Sequence, residues 1–509
     1  MLPVPRAPMN KRAKTLMIQG TSSHVGKSLI TAAILRILKR RGIKAAPFKA
    51  QNMALNSAVV KGGEIGRAQV LQAYAAGVEP TVDFNPVLLK PTTDSVTQVI
   101  IHGVARATMS ARDYHSFKKE ARRYVVESFE RLASDYDAIV IEGAGSPAEI
   151  NLRENDIANM GMALIAASPV LIVGDIDRGG VFASLLGTME LLVDEEKKLV
   201  KGFIINKFRG DSTLLAPGIK VLSERTQRPV IGVVPYIKGL RLPDEDSVAL
   251  EADFTPAVTN EAAVVIVVIK LPRISNFTDF DPLKGVAGVQ LKFVEHPEQI
   301  AGADMVIIPG TKNTLGDLNW LRERGLSAAI KKAHESGAMI VGICGGFQML
   351  GVSVKDPYGV ESSALSAQGL GLINAETVLE RDKKTYEVKA RASLFGEEFE
   401  LSGYEIHMGE TNVNDASFAT ITMRGGTSVD VRDGAAIVGS MLWGTYIHGI
   451  FDNDRFTQSL VARLKKKKGR THEAGQKPYR VVVEESIDLL ADTVSEHTDV
   501  AAIMRIMSL

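Results

Sequence analysis

The sequence predicts an α/β protein built as two parallel-sheet units in series. Three observations predict it. Short continuous apolar runs bounded by Gly, Pro, Asp or Asn alternate with helix-like stretches through the first half. The pattern breaks at an acidic, aperiodic segment over 241–260. A second alternating series then starts near residue 262. Continuous apolar strands separated by helices imply a sheet covered on both faces, and such sheets place ligands at the carboxyl ends of their strands.

The elements follow in order. An apolar run at 15–19 leads into an amphipathic stretch at 27–41, and a second run covers 43–48. Helical spacing recurs at 65–76, 114–132, 156–166 and 181–192, interleaved with apolar runs at 136–141, 169–173, 202–205 and 230–234. Asp244, Glu245, Asp246, Glu251 and Asp253 make 241–260 a linker. The second series runs through 262–270, 305–308 and 338–343, with extended stretches at 385–392, 420–423 and 435–447. Beyond about 454 the chain turns helical. The lysines at 465–468 read as a solvated helix end, and apolar periodicity at 487–490 and 500–506 reads as a helical tail. The predicted organisation is a flexible extension over 1–13, a first unit over 14–240, the linker over 241–260, a second unit over 261–460 and the tail over 461–509.

Composition narrows the function classes. The 509 residues include 60 basic and 59 acidic side chains, a formal charge of +1, so no global charge points to nucleic acid or a membrane surface. A single cysteine, Cys344, excludes an intrachain disulfide and fits a reducing, cytoplasmic compartment. The best membrane-span candidate, 160–173, is shorter than the roughly 18 apolar residues required and contains Gly161, Ser168 and Pro169, so no stable membrane insertion is expected. The proline- and lysine-bearing N-terminus leads only into Leu16-Met17-Ile18, too short for a secretory signal.

The first strand runs into Gly20-Thr21-Ser22-Ser23-His24-Val25-Gly26-Lys27-Ser28 and then a helix. A glycine-bearing turn at a helix N-terminus offers backbone N–H groups and a positive dipole end to phosphate. Lys27 would reach the β- and γ-phosphates of ATP, and the Ser28 hydroxyl would sit on Mg²⁺. Five residues rather than four separate the glycines, a departure from the common P-loop. A buried strand ending in Glu142-Gly143-Ala144-Gly145 supplies a second metal ligand, Glu142; Asp175 and Asp177 at the same rim are the alternatives.

Cys344 lies in Gly342-Ile343-Cys344-Gly345-Gly346, where an apolar strand meets a helix-like run. Flanking glycines permit the sharp turn that exposes a nucleophile. The helix N-terminus favours thiolate, and the Gly345 N–H can serve an oxyanion hole. His448, in Tyr446-Ile447-His448-Gly449, is the preferred base, and His407 in Tyr404-Glu405-Ile406-His407 competes.

The loop resembles that of dethiobiotin synthetase-type ATPases, and G-x-C-G-G followed some hundred residues later by histidine resembles a class I glutamine amidotransferase. Relatives usually carry glutamate two residues after the histidine; here that position is Ile450, leaving a dyad or an orienter such as Asp452 or Glu410. Together with Lys49-Ala50-Gln51-Asn52-Met53, Glu64-Ile65-Gly66-Arg67, Asn85-Pro86-Val87 and the segment following Glu142, the chain resembles the cobyrinic/cobyric acid amide synthases over nearly its whole length. The resemblance implies ATP–Mg²⁺ phosphorylation of corrin carboxylates, displacement of phosphate by ammonia from glutamine, and amidation at positions b, d, e and g of adenosylcobyrinic acid a,c-diamide. Ala50-Gln51-Asn52-Met53 discriminates against the a,c-diamide synthase. Lys49, Gln51, Asn52 and Asn56 become candidate ATP or substrate ligands, and backbone near Gly310, in Pro309-Gly310-Thr311-Lys312, a second oxyanion donor. A P-loop switch of the partitioning type is the reading from another class; the absence of a second lysine among Thr21, Ser22 and Ser23 argues against it.

Overall fold

The computed structural model describes residues 12–92, 95–243, 264–362, 364–437, 441–469 and 477–509. Residues 1–11 of the expected extension and 244–260 of the expected linker lie outside them.

The first unit is a six-stranded parallel sheet. Across it lie Val230–Pro235, Val200–Phe208, Val170–Asp175, Lys14–Gly20, Ala138–Glu142 and Ala45–Phe48. The central strands carry apolar residues on both faces through their middles because helices cover both sides; Met17, Ile18, Ile139 and Leu171 are fully buried. Lys27–Arg40 covers one face, and Ala111–Asp135 and Val181–Leu191 pack into the core on the other. All six strands fall on apolar runs read from the sequence.

Two predicted helices start late, each for a local reason. Residues Gly63–Gly66 pair with Ser57–Val60 as a hairpin, so the helix expected from 65 begins at Arg67. The helix expected from 156 begins at Met160, because the Asp156 carboxylate accepts the N–H groups of Ala158, Asn159 and Gly161 and stands outside the helix as a cap. A small sheet, Gln51–Met53 with Val87–Pro91, Val96–Ile101 and Val104–Ser110, was not expected.

The second unit has its own sheet, ordered Val289–Val294, Val264–Ile269, Met305–Ile308, Met339–Ile343, Leu442–Thr445 and Ala435–Ala436, with only the last edge antiparallel. A mostly antiparallel sheet stands beside it, dominated by the long pair Ala375–Leu394 and Glu397–Val413. Helix Asp454–Lys467 packs on this second core. Its lysine run is not simply solvated: Lys465 is buried with Nζ donating to Ala287 O at 2.8 Å, and Lys468 pairs with Asp304 at 2.8 Å.

Helices Tyr479–His497 and Val500–Met507 do not trail behind the second unit. They return to the first, where Ile487, Leu490, Ala491 and Val494 share a core with Ile30, Ala33 and Ile34 of the first helix. Arg36 pairs with Glu484 at 2.5 Å and Arg40 with Asp488 at 2.8 Å.

Candidate active sites

The phosphate loop sits at the carboxyl end of Lys14–Gly20, between two strands of the sheet. Its turn needs glycine at 26: φ there is 102°, and a Cβ would lie 2.1 Å from Asn206 Nδ2. That amide donates to Val25 O at 2.8 Å. Lys207 braces the outer side of the loop, donating to His24 O at 2.6 Å and to Asp175 Oδ2 at 2.8 Å. Lys27 Nζ reaches back over the loop to Ser22 O at 2.9 Å and across to Gly145 O at 3.0 Å, so its ammonium lies where the first strand and the one ending at Glu142 converge.

Glu142 is fully buried and collects donors. Ser28 Oγ donates to Oε1 at 2.8 Å, Lys49 Nζ to the same oxygen at 2.9 Å, and Gln72 Nε2 to Oε2. Ser28, Lys49 and Glu142, three residues chosen from the sequence, thus meet, and Lys27, a fourth, is tied nearby to Gly145. The other candidates disperse. Gln51 Oε1 accepts from the Tyr114 hydroxyl at 2.7 Å, and Asn52 donates to Gln69 at 3.1 Å. Asn56 lies at the boundary with the second unit, its Oδ1 accepting from Thr278 Oγ1 at 3.0 Å. Thr21 is half-buried at the strand end, its N–H donating to Val173 O at 3.0 Å. Asp175 is bound to Lys207, and Asp177 is paired with Arg209 at 2.7 Å on the surface.

In the second unit, Met339–Ile343 and Leu442–Thr445 are adjacent strands, and this adjacency joins Cys344 to His448. The Cys344 N–H donates to Thr445 O at 2.8 Å, and the backbone at Cys344 takes φ 51° and ψ −110°, a conformation costly for a side chain-bearing residue. Gly346 tolerates no Cβ, which would lie 1.9 Å from Ile308 O. Cys344 is buried at 6 % exposure and heads a short helix.

His448 is held by a residue the sequence reading missed. Its Nδ1 lies 2.6 Å from Asp279 Oδ2, with both side chains buried. Asp279 comes from the turn after Val264–Ile269, so the orienting carboxylate lies on the far side of the sheet sequence from the usual place two residues after the histidine. The other carboxylate oxygen, Oδ1, is 3.2 Å from the Tyr404 hydroxyl, and the Tyr404 ring stacks on His448 at 5.2 Å. Burial alone would lower the imidazole pKa; the charges of Asp279 and Cys344 outweigh it, and the ring is pushed up to about 10. His448 Nε2 has no hydrogen-bond partner among the described residues. Neither orienter considered from sequence takes the role: Glu410 pairs with Lys384 at 3.0 Å and Asp452 lies 3.9 Å from Arg67. A run of buried polar residues between aromatics, Asn276-Phe277-Thr278-Asp279-Phe280, was the available signal.

His407 lines the cavity beside Cys344, but its own nitrogens are engaged, Nδ1 with Gly409 O at 2.8 Å and Nε2 with Glu405 Oε1 at 3.4 Å. Burial leads in lowering its pKa. Gly345 and Thr311 line the same cavity; Gly310 packs against His448 instead, where a Cβ would meet Cε1 at 3.0 Å.

The two units share a wall beside the Cys344–His448 centre. Ser57 N donates to Asn276 Oδ1 at 3.2 Å, and the Tyr404 hydroxyl, which accepts from Asn276 Nδ2 at 3.0 Å, lies 3.3 Å from Ser57 O. Glu64 of the first unit is clamped between Lys90 and, from the second unit, Lys383, each at 2.5 Å. Burial opposes ionisation of Glu64, but the two ammonium groups hold it well below the usual carboxylate range.

Among the described residues, no helix is long and apolar enough to cross a membrane. Two family profiles match: the CobQ/CobB/MinD/ParA nucleotide binding domain over residues 16–248, and the CobB/CobQ-like glutamine amidotransferase domain over 265–456. The chain is 49 % identical to the cobyric acid synthase of Sorangium cellulosum, covering 98 % of this chain and 99 % of that protein. It is 48 % identical to that of Syntrophobacter fumaroxidans, with the same coverage, and 47 % identical to that of Citrobacter koseri, over 97 % and 98 %. A nucleotide-binding sheet, an amidotransferase elbow and full-length similarity therefore converge: the chain belongs to the cobyric acid synthase family, carbon–nitrogen ligases that draw their amido nitrogen from glutamine.

Proposed function

We propose that this chain converts adenosylcobyrinic acid a,c-diamide to adenosylcobyric acid by amidating the b, d, e and g carboxylates, with ATP as activator and glutamine as nitrogen source. A carboxylate is a poor electrophile. Transfer of the γ-phosphoryl group of ATP to one carboxylate oxygen releases ADP and leaves an acyl phosphate. Ammonia attacks its carbonyl carbon, the C–O bond to phosphate breaks, and amide and inorganic phosphate result. Gly20, Thr21 and Gly26 supply the backbone cradle, and Lys27 and Lys49 the positive charge for the transferred phosphoryl oxygens.

Ser28 and Glu142 present a hydroxyl and a carboxylate oxygen within 2.8 Å of each other, a hard oxygen pair suited to Mg²⁺. Such an ion would neutralise phosphate charge. Ser28 through its hydroxyl oxygen and Glu142 through its carboxylate would hold it.

At the second site the Cys344 sulfur attacks the glutamine γ-carboxamide, the tetrahedral oxyanion is met by the N–H of Gly345 and of the Gly310–Thr311 turn, and the C–N bond breaks. His448, protonated at neutral pH and steered by Asp279, delivers the proton to the departing nitrogen as ammonia forms. Water then hydrolyses the thioester to glutamate and restores the thiol. The observation that carries this reading is the shared wall. Tyr404 touches both the Asp279 beside His448 and Ser57 of the nucleotide-binding unit, so the Cys344–His448 centre lies against that unit in one molecule.

The test is amide formation on adenosylcobyrinic acid a,c-diamide, counted by mass spectrometry with ATP–Mg²⁺ and either glutamine or ammonium. Four amides are expected from the native chain with both nitrogen sources, and from Cys344→Ser with ammonium only. Absence of any amidated corrinoid with either source refutes the substrate.

A further inference from the structure

The cavity beside Cys344 carries more charge than chemistry at sulfur requires. Lys90, Lys312, Lys383 and Glu361 all line it. Two of the three ammonium groups are committed, because Lys90 and Lys383 each hold one oxygen of Glu64. Lys312 differs. It is 7 % exposed, and among the described residues no hydrogen bond or ion pair engages its Nζ. Burial leads, with the neighbouring charges of Lys383 and Lys90, in lowering its pKa to about 8, while Glu361 opposes them. Glu361 is tied at one oxygen, which accepts from Thr314 N at 2.7 Å, and makes no ion pair within 4.0 Å among the described residues. Cation and anion thus share one small cavity without meeting.

Both groups are fixed by one loop. Lys312 N donates to Arg273 O at 3.0 Å, Thr311 Oγ1 donates to the same carbonyl at 3.0 Å, and Thr314, two residues further, anchors Glu361. A buried ammonium without a counterion is costly, and a ligand that supplies one recovers that cost. The amino acid whose carboxamide meets Cys344 carries, two methylenes away, a carboxylate and an ammonium on one carbon. We propose that Lys312 binds the α-carboxylate of glutamine and Glu361 its α-ammonium, so that this pair selects the free amino acid as nitrogen donor. The proposal rests on reading Cys344 as the nucleophile of a glutaminase.

The experiment measures glutamate release at varied glutamine, and ammonium-supported amidation in the same preparations, for the native chain, Lys312→Met, Lys312→Arg, Glu361→Gln and Cys344→Ser. Charge-assisted hydrogen bonds of this kind predict a rise in glutamine KM of about 10- to 100-fold for Lys312→Met, a kcat held within about threefold, and unchanged ammonium-supported amidation. Lys312→Arg is expected to restore most of the affinity. Two amides tested on the native chain need no variant to fold: γ-aminobutyramide lacks the α-carboxylate and glutaramate lacks the α-ammonium. Both are expected to be poor substrates, with Lys312→Met losing discrimination against the first and Glu361→Gln against the second. Native turnover of γ-aminobutyramide equal to that of glutamine overturns the assignment, as does a Lys312→Met KM within threefold of native while Cys344→Ser is inactive. A Lys312→Met chain that loses ammonium-supported amidation to the same extent also overturns it, because the lysine is then structural. Glutamate release surviving in Cys344→Ser sinks the glutaminase reading itself, and is distinguishable from all of these.

Discussion

Asp279→Asn preserves the shape of the side chain and removes the charge that holds His448. The bond it alters spans 2.6 Å between two buried groups, and the same carboxylate is engaged on its other oxygen by Tyr404. A hydrogen bond to a charged partner is worth about 1.5–3 kcal/mol, which at 1.4 kcal/mol per decade is a fall of about 10- to 150-fold in glutamine-dependent kcat/KM. A second loss depends on pH. The native imidazole, pushed up to about 10, stays protonated across the neutral range. Without the anion its pKa falls toward the ordinary value of about 6.5, and above that the protonated fraction drops about tenfold per pH unit. Glutamate release from Asp279→Asn should therefore decline from about pH 7 upward while the native rate holds. Ammonium-supported amidation is the internal control and should be unaffected. A variant within twofold of native across pH 6–9 would refute the assignment of Asp279 as the positioning residue of His448.

Other outcomes follow from the same geometry. Lys27→Ala should lower amidation at least about 100-fold with either nitrogen source, and leave alkylation of Cys344 by iodoacetamide intact. Glu64→Gln leaves Lys90 and Lys383 buried without their shared counterion and should cost about 3–5 kcal/mol in urea denaturation, diminished if Lys383 is replaced as well. Gly346→Ala forces a methyl against Ile308 O and should lower thermal stability by an amount equivalent to about 1–3 kcal/mol or more. Finally, the folded-state pKa of His448 lies above its unfolded value, so its contribution to stability is complete below about pH 6.5 and is lost as pH rises through about 10. Alkaline denaturation of native protein against His448→Gln reads this difference.

The parallel sheets were legible because burial on both faces leaves an unbroken apolar run, and the runs at 136–141 and 338–343 carry their motif residues at the strand ends. Glu142 and Cys344 were singled out as candidates for that reason. What escaped has a common cause: its partners are distant in sequence. Asp279 lies 169 residues from His448, and Ser57 lies 219 residues from Asn276. No local periodicity marks either pair. Asn56, a candidate because it follows the second strand with Lys49, Gln51 and Asn52, faces Thr278 of the second unit instead. Of the strand Ala375–Leu394 only 385–392 was seen, where buried Val388, Ala390 and Ala392 alternate with charged Glu387, Lys389 and Arg391; the charged run at 380–384 hides its continuation toward Ala375. The tail was legible as helices, yet nothing in its amphipathic pattern names the surface it covers.

That surface has a consequence for biosynthesis. The first helix, Lys27–Arg40, leaves the ribosome long before the helices that seal its outer face, which are separated from it by some 450 positions, as the 448-residue span between Arg36 and Glu484 measures. At about 5–20 residues per second, the intervening chain takes tens of seconds to make. Through that interval the nascent nucleotide-binding sheet carries an uncovered apolar stripe, and the helices at 479–507 close it. A transcript truncated after the amidotransferase region would leave the first unit, rather than the second, exposed to aggregation.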